Sequence, residues 1–416
     1  MRSSLIGSAF LIGTIQYCTA QNVNSPYSTY VIGDLEHRSY DRTAGMANTG
    51  TAMMSTSFHL LNKNPASMAG LERSYILGNA TFVGRSISFA GDPINADNSK
   101  GKDFFIKNFS MATKLNNFWS AGVSLMPFTY VNYSYRTRLD IEGSDQRYDA
   151  LYEGDGGIFN FSINNAFNIG NHLAVGLRTS VLSGSVNQDE ILQPGTTADP
   201  VETRMRNYYR KIRFEYGAIY SGNLSSSWKY SLGGKFIPQT DLNRERSMQI
   251  KQGSNIIRKE EVYANDEFRL PMSFDLGVSL TNKNRTTVSL DYSYQDWSKD
   301  PVKGRNYSTI SSHRYAAGVQ FSNLVERWNM HWEKNYVQAG VFYNRSYLRV
   351  NNTPIDEFGV SVGYGGYLSG KMSYGLALEA GRRGTTDNNL VREYYVQLSF
   401  RFSFREFLFS RGRKYE

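Results

Sequence analysis

Long apolar runs are missing from this chain of 416 residues once its first twenty or so have been passed. A helix that crosses a bilayer needs roughly 20 mostly apolar residues, so the sequence excludes a polytopic helical membrane protein. Charged residues make up only 20% of the chain, whereas aromatic residues make up 14%. Intrinsic disorder is also disfavoured, because disordered chains are poor in aromatic and β-branched residues.

Cysteine is nearly absent, and the single cysteine, Cys18, lies in a segment typical of an export signal. Arg2 gives this segment a positive start, an apolar stretch covers 5–15, and small residues precede Gln21. Residues 1–20 are therefore expected to form a secretory signal peptide. A mature chain that begins at Gln21 has no cysteine, which excludes disulfides, cysteine metal sites and thiolate catalysis.

Acidic residues are fewer than basic ones, and the formal net charge is +9. In an exported chain this excess fits contact with outer-membrane lipid and lipopolysaccharide better than contact with nucleic acid, which is not an expected partner. The five histidines have no spacing typical of a metal site, so neither a metal nor another cofactor is expected.

Apolar and polar residues alternate repeatedly after residue 73. In the C-terminal stretch one face is apolar and aromatic, and it consists of Tyr394, Val396, Leu398, Phe400, Phe402 and Phe404. A strand of a transmembrane barrel shows such a face to lipid and its polar face to the lumen. About 14 such segments occur, and an even number lets an antiparallel barrel close without exposed edges.

The connections between these segments alternate between long polar loops, such as 188–207 and 239–267, and tight turns. The stretch 322–335 is the exception, because it is long on the short-turn side. Bacterial outer-membrane barrels have long loops outside and short turns in the periplasm. The pattern predicts an all-β transmembrane antiparallel barrel over 74–404, located in the outer membrane of a Gram-negative bacterium. Both termini are expected in the periplasm, with residues 405–416 as a basic tail.

Residues 21–73 lack this alternation and are rich in small side chains, above all over 44–52. Small residues permit close packing against a wall, and a barrel of this size has a wide lumen. We therefore expect a compact N-terminal hatch that plugs the lumen. The alternative is a loose periplasmic tail.

Several local patterns together resemble the FadL/TodX-type family of outer-membrane transporters for hydrophobic compounds. The elements similar to the family's N-terminal hatch are Ala44, Gly45, Gly50, Asn64, Pro65 and Ala66. The elements similar to the family's barrel are Pro127-Phe128 in the third strand, Leu270-Pro271 at the eighth and Asp296-Trp297-Ser298 after the ninth. The resemblance implies a fourteen-stranded barrel that takes up fatty acids or aromatic hydrocarbons and releases them sideways into the bilayer.

The third strand is expected to contain a break in the wall. Proline has no N–H for a sheet ladder and is tolerated mainly at edges and bulges. Pro127 and Phe128 are therefore candidates for a kink and lateral opening, although Thr129 stands where the family has glycine. Asn64-Pro65-Ala66 is expected either to hold the hatch as a gate or to form an ordinary tight turn.

The charged residues predicted to face the lumen include Arg178, Arg213, Glu215, Asp275, Asp291, Glu379 and Arg401. They would either bind the carboxylate headgroup of a ligand or form an ion-pair network that braces the hatch. The motif Gly359–Gly363 spells a nucleophile elbow, but that turn needs a strand followed by a helix. Because the motif lies inside an alternating strand, no enzyme activity is expected.

Two functions remain open. The first is passive uptake of a hydrophobic small molecule, of the long-chain fatty acid or aromatic class, through the hatch and a lateral opening. The second is a non-transporting FadL-like barrel that serves as a subunit of an outer-membrane secretion or assembly complex and binds other envelope proteins.

Overall fold

The computed structural model describes residues 25–91, 94, 99–140, 147–193, 199–327 and 330–408. The expected signal peptide, residues 1–20, lies outside the described residues, and so do residues 409–416 of the expected tail. Among the described residues, no helix combines the length and the apolar character needed to cross a membrane.

Fourteen antiparallel strands form one closed barrel. They are β1 (Tyr75–Ala90), β2 (Lys100–Lys114), β3 (Trp119–Pro127 and Thr129–Asp140), β4 (Arg147–Ile169), β5 (Leu173–Gln193), β6 (Val201–Asn223), β7 (Trp228–Ile237 and Thr240–Gln252), β8 (Asn255–Leu270 and Ser273–Asn282), β9 (Thr286–Gln295), β10 (Ser312–Arg327), β11 (Met330–Val350), β12 (Thr353–Ser369), β13 (Met372–Arg383) and β14 (Arg392–Phe407). Each strand pairs with its neighbours in the chain, and β14 pairs with β1 to close the barrel. The predicted barrel and its number of strands are confirmed.

The strands extend further at the long-loop end than the sequence predicts. Much of 188–207 and 239–267 belongs to paired strands, with β7 and β8 joined by a tight turn after Gln252. These extensions carry polar residues on both faces, so they lack the alternation that marks a lipid-facing strand. At the opposite end, residues 322–327 and 330–335 of the expected loop are the paired ends of β10 and β11.

The two faces of the wall differ as the alternation predicts. Large apolar side chains such as Leu290, Phe358 and Leu398 are about half exposed on the outer face. Polar and charged side chains on the inner face are buried, because the N-terminal residues cover them. The exposed apolar surface is therefore the one available to lipid.

The N-terminal segment, defined here as residues 25–74, runs through the barrel. It contains the 3₁₀ turns Pro26–Thr29, Arg42–Met46 and Pro65–Gly70 and a short strand, Asp34–Leu35. Its first residue, Ser25, donates a hydrogen bond to Glu393 at the long-loop end of β14. The segment then passes to the short-turn end and enters β1. The expectation of a periplasmic N-terminus is therefore wrong for the first described residues.

The C-terminal strand ends later than predicted. It continues to Phe407, so the first three residues of the expected tail belong to β14. Arg405 and Phe407 still have strand partners in β1, Leu77 and Tyr75. Two further small elements complete the fold: a three-residue strand, Tyr307–Thr309, which pairs with β11, and a 3₁₀ turn in the β13–β14 connection, Asp387–Asn389.

Candidate functional site

The carboxylate of Asp291, on the inner face of β9, binds the N-terminal segment directly. Its Oδ2 accepts hydrogen bonds from the backbone N–H groups of Gly50 (2.9 Å) and Thr51 (3.1 Å) and from the Thr51 hydroxyl (2.8 Å). Lys63 Nζ forms an ion pair with the same oxygen at 2.9 Å. Asp291 therefore fixes two separate parts of the segment at one point of the wall.

Asn64-Pro65-Ala66 forms the start of a 3₁₀ turn that lies against β5 and β6. The Asn64 side chain accepts a hydrogen bond from Ala66 N–H (3.0 Å) and donates to the carbonyl of Thr51 (2.8 Å). Two wall glycines make this approach possible, since a Cβ at Gly217 would clash with Asn64 and one at Gly176 would clash with Ala66. The motif is thus both a turn and a contact with the wall.

The 3₁₀ turn that contains Ala44 and Gly45 packs on β12. A Cβ on Gly45 would come within 2.5 Å of the Gly363 Cα atom, so the two backbones are in close contact. The Ser361 hydroxyl donates to the carbonyl of Gly45 (3.0 Å) and accepts from Ala47 N–H (2.8 Å). Ser361 lies inside a strand and binds the segment, so the Gly359–Gly363 motif is not a nucleophile elbow.

Two more of the predicted lumen charges, Arg178 and Glu379, bond to the segment, whereas the hydrogen bonds of Arg401 go to barrel residues. Arg178 donates to the carbonyl of Asn62 and forms an ion pair with Glu215 at 3.0 Å. Glu379 forms an ion pair with Arg38 at 2.7 Å. Arg401 bonds to the hydroxyl groups of two other barrel residues, Tyr336 and Ser403.

Charged residues of the segment itself were not identified from the sequence. They form ion pairs with the wall: Asp34 with Arg383 (2.8 Å), Glu36 with Lys107 (3.0 Å), Arg38 with Glu357 (3.0 Å) and Arg42 with Glu333 (2.6 Å). The signal that could have revealed them is the concentration of five charged residues over 34–42 in a segment otherwise rich in small residues.

Two neighbouring side chains of the segment, His37 and Glu36, are buried and have shifted pKa values. Burial, followed by the positive charge of Arg314, lowers the pKa of His37 from 6.5 to about 4. Burial alone would raise the pKa of Glu36, but Lys107 and Arg38 lower it from 4.5 to about 2. Near neutral pH the segment therefore carries an uncharged His37 and a charged Glu36.

Strand β3 is interrupted at Phe128, between Pro127 and Thr129. Pairing with β2 stops at Leu125. The second half of β3, which runs toward the long-loop end, is therefore not paired with β2, and a gap opens in the wall. The segment's short strand lies in this gap, where Asp34 and Leu35 pair with Tyr130 and Thr129. On the β4 side, Phe128 N–H donates to the Ile158 carbonyl (2.7 Å), and Ile158 N–H donates to the Thr129 hydroxyl (3.1 Å).

The space behind this break is small and charged. A cavity of ≈ 150 Å³ borders Pro127 and Phe128, and another of ≈ 60 Å³ lies beside Tyr130. The charged residues that line the larger cavity include Arg178, Arg213, Glu215, Lys235 and Asp275. The Arg213 guanidinium lies 4.7 Å from the centre of the Phe128 ring. An apolar ligand placed here would desolvate several charges, which is costly.

The long-loop end is filled by a cluster of apolar and aromatic side chains, called here the outer cluster. It joins N-terminal residues to the wall, and its buried members include Tyr27, Ile32, Tyr133, Tyr209, Leu242, Phe268, Trp297 and Tyr347. The Tyr347 hydroxyl donates to the carbonyl of Gly33 (2.6 Å), and its ring stacks on Trp297 with centroids 4.8 Å apart.

The short-turn end is open by comparison. A cavity of ≈ 990 Å³, called here the short-turn cavity, lies between the segment and the turns that end the strands. Its lining includes Met54, Phe58 and His59 from the segment and Glu333 and Arg405 from the barrel. Within the residues that the structure describes, no group of three or more His, Cys, Asp or Glu side chains is arranged to hold a metal ion.

One protein-family model matches this chain over its whole length. The family model that matches is BamG, over residues 1–416. The chain belongs to the BamG family. No curated protein matches this BamG-family chain at a significant level.

Solved structures of hydrophobic-compound channels share the fold of this BamG-family chain. The Pseudomonas putida toluene transporter TodX is 14% identical, with a TM-score of 0.59, over 91% of this chain and 100% of TodX. A Pseudomonas aeruginosa FadL homologue is 13% identical, with a TM-score of 0.58, over 89% and 98%. The Ralstonia pickettii toluene transporter TbuX is 14% identical, with a TM-score of 0.56, over 87% and 97%. The expected FadL/TodX-type fold is confirmed, and it indicates the outer membrane of a Gram-negative bacterium.

Proposed function

We propose that the chain is a non-transporting barrel subunit of an outer-membrane secretion or assembly complex. The observation that carries this proposal is the charged lining of the space behind the break in β3. A lateral pathway for hydrophobic compounds needs an apolar route, and here the route would pass Arg178, Arg213 and Glu215. The outer cluster supports the same proposal, because it fills the end from which such compounds would enter.

The N-terminal segment, in this proposal, is a permanent brace rather than a moving hatch. Its backbone and side chains are bound to the wall through Asp291, Ser361, Glu379 and Arg178. Each buried ion pair would leave an uncompensated charge if the segment moved away, which costs several kcal/mol per ion. Such a plug keeps a wide barrel closed without requiring a ligand.

Partner contacts at the outer surface would use the long β7–β8 hairpin. Beyond the membrane it shows Ile256, Ile257, Val262 and Tyr263 to solvent, each at least 42% exposed. Apolar side chains clustered on an exposed hairpin are typical of a protein-binding surface. Outer-membrane lipid and lipopolysaccharide would cover the apolar outer wall below it.

Isolation of the tagged chain at its native level from mildly solubilised membranes tests the proposal. We expect other envelope proteins to co-purify in fixed stoichiometry and to remain bound through a second, size-based separation. The matched control is the chain with Ile257→Ser and Val262→Ser, which should fold but recover less of any partner bound at the outer surface. Recovery of a monomeric chain with bound fatty acid or aromatic compound would contradict the proposal.

Passive uptake of a hydrophobic small molecule is the second candidate, and the break in β3 favours it. In this alternative Pro127 and Phe128 border a lateral opening, and the segment's short strand must leave the gap for release. Pro127→Val would add a ladder N–H and help seal the wall. Uptake of toluene or oleate by intact cells should then fall, with the heat-stable barrel unchanged. Under the subunit proposal, uptake is the same with or without the substitution.

A further inference from the structure

The outer wall of the barrel has a shallow apolar groove, called here the wall groove, over strands β8 to β12. Its volume is ≈ 710 Å³, and the outward-facing side chains that line it are apolar or aromatic. At its centre Ala317 is paired with Leu290 on one side and Val341 on the other, and both of these larger side chains are about half exposed. A short side chain between two longer ones leaves a depression in the wall. The aromatic residues that line the wall groove are Tyr292, Tyr315, Tyr343 and Phe358.

A row of tyrosine rings crosses the wall at the long-loop side of the groove. Tyr292, Tyr315 and Tyr343 lie opposite one another on β9, β10 and β11. The Tyr292 hydroxyl lies 3.0 Å from His313 Nδ1, and the Tyr343 hydroxyl donates to Asp356 (3.0 Å). Tyrosine is enriched where a bilayer meets water, and outer-membrane barrels have aromatic girdles at this level. The row therefore marks the level of the lipid headgroups, with the wall groove on its hydrocarbon side.

Two exposed arginines lie beside this row. Arg345 is two residues beyond Tyr343 on β11, toward the long-loop end. Arg382 is on β13, where it is paired with Phe358. Among the described residues, neither guanidinium forms an ion pair, and Asp356, which lies opposite Arg345, accepts a hydrogen bond from Tyr343. Arginine binds phosphate with two parallel hydrogen bonds, so both side chains are available to an anionic headgroup.

We propose that this part of the wall binds the lipid A anchor of lipopolysaccharide, with an acyl chain in the wall groove and a phosphate group on Arg345 and Arg382. The long-loop end of an outer-membrane barrel faces outside, and the outer leaflet there consists of lipopolysaccharide. Lipid A has acyl chains directly below a phosphorylated sugar, which matches an apolar groove directly below two arginines. A zwitterionic phospholipid fits less well, because its ammonium group lies beside the phosphate. The site would serve a subunit and a channel alike, so it goes beyond the proposed function.

Native mass spectrometry of the purified full-length chain in detergent tests the site. The probes are lipid A with its phosphate groups, the same lipid without them, and phosphatidylglycerol. We expect the chain to retain one phosphorylated lipid A at concentrations at which the other two lipids are lost. Arg345→Gln and Arg382→Gln should each weaken retention about fivefold, the effect of one cation near an anionic lipid surface. Ala317→Phe fills the depression without a change of charge and should weaken retention by a similar factor, because the acyl chain loses contact with the wall.

Each type of substitution has a matched control elsewhere on the barrel. Arg285→Gln removes an exposed arginine from a tight turn at the short-turn end. Ala121→Phe enlarges a small residue on the outer face of β3, which it shares with the exposed Val123. Both controls lie far from the wall groove and should leave retention of lipid A within about twofold. A barrel that migrates as folded on an unheated gel is required of every variant.

Four results would overturn the inference. They are no retention of lipid A, equal retention of lipid A with and without phosphate, equal weakening in Arg345→Gln and Arg285→Gln, and preferred retention of phosphatidylglycerol. The second result would reduce the groove to ordinary contact with acyl chains, and the last would assign it to a phospholipid. If lipid A binds as expected but no envelope protein co-purifies with the chain, the proposed function fails while the site stands.

Discussion

At the long-loop end the N-terminal segment packs into the outer cluster, whereas at the short-turn end the same segment borders a cavity of ≈ 990 Å³. Between the two ends the segment is held by hydrogen bonds and ion pairs, many of them to Asp291, Glu357 and Glu379. The plug is therefore asymmetric. It closes the barrel toward the outside and leaves space toward the periplasm.

Removal of one tyrosine at each end should have unequal effects on stability. Tyr347→Ala deletes a fully buried ring and its hydrogen bond to Gly33, so we expect a loss of about 3–5 kcal/mol of stability. Tyr367→Ala removes a partly exposed ring beside Phe58 and should cost about 1 kcal/mol, because water can fill the space. Denaturant unfolding of the two variants measures the difference. Equal losses would show that the outer cluster is not a packed core.

A charge removed from the middle of the barrel should release the segment from the wall. Asp291→Asn leaves Lys63 without its ion-pair partner, and breaking a buried pair costs about 3 kcal/mol or more. The control, Asp266→Asn, removes a carboxylate paired with Arg244 on the outer hairpin and should cost less than about 1 kcal/mol. Protease cleavage within residues 25–74 reports release. Full protection in Asp291→Asn would contradict the bracing role.

The break in β3 should depend on one hydroxyl. Thr129→Val leaves Ile158 N–H without its acceptor at a buried position, which costs about 1 kcal/mol or somewhat more. Thr137→Val, further along the same strand, is the control and should have little effect. Hydrogen exchange at the Ile158 amide reads the change directly. An unchanged exchange rate would mean that another group replaces the hydroxyl.

Acidification should loosen the segment before it affects the outer hairpin. The folded pKa of His37, about 4, lies below its ordinary value of 6.5, so the unfolded state binds more protons in this window. Stability from uncharged His37 is therefore complete above about pH 6.5 and is lost as the pH falls toward 4. His37→Gln should flatten this part of the melting-temperature profile, and His172→Gln, at an exposed turn, should not. Identical profiles in both variants would contradict this origin.

The sequence predicts the barrel well because strand alternation is a direct consequence of lipid on one side and a polar lumen on the other. It predicts the strand extensions poorly, since the outer parts of β7 (Thr240–Gln252) and β8 (Asn255–Leu270) carry polar residues on both faces. The charged inner residues Arg178, Asp291 and Glu379 follow from the same alternation, but their partners do not. The alternation of apolar and polar residues does not indicate which part of the N-terminal segment contacts which strand.

The path of the segment is set by contacts between residues more than 200 positions apart, such as Gly50 with Asp291 and Gly45 with Gly363. Such contacts leave no local pattern in a single sequence. The role of Thr129 could not be predicted from the sequence either. Because the family has glycine at this position, threonine predicts a weaker kink. In the structure the Thr129 hydroxyl accepts a hydrogen bond from Ile158 N–H and so completes the β3–β4 ladder.

The most direct test of an outward-closed and inward-open barrel is maleimide labelling of two single-cysteine variants. The only cysteine, Cys18, precedes the described residues, so Ile32→Cys reports on the outer cluster and Met54→Cys on the short-turn cavity. In the purified folded chain we predict that Met54→Cys reacts as fast as a cysteine at the exposed Ser226. Ile32→Cys should react at least about a hundredfold more slowly, because reaction requires local opening. Equal rates at Ile32→Cys and Met54→Cys would contradict the account.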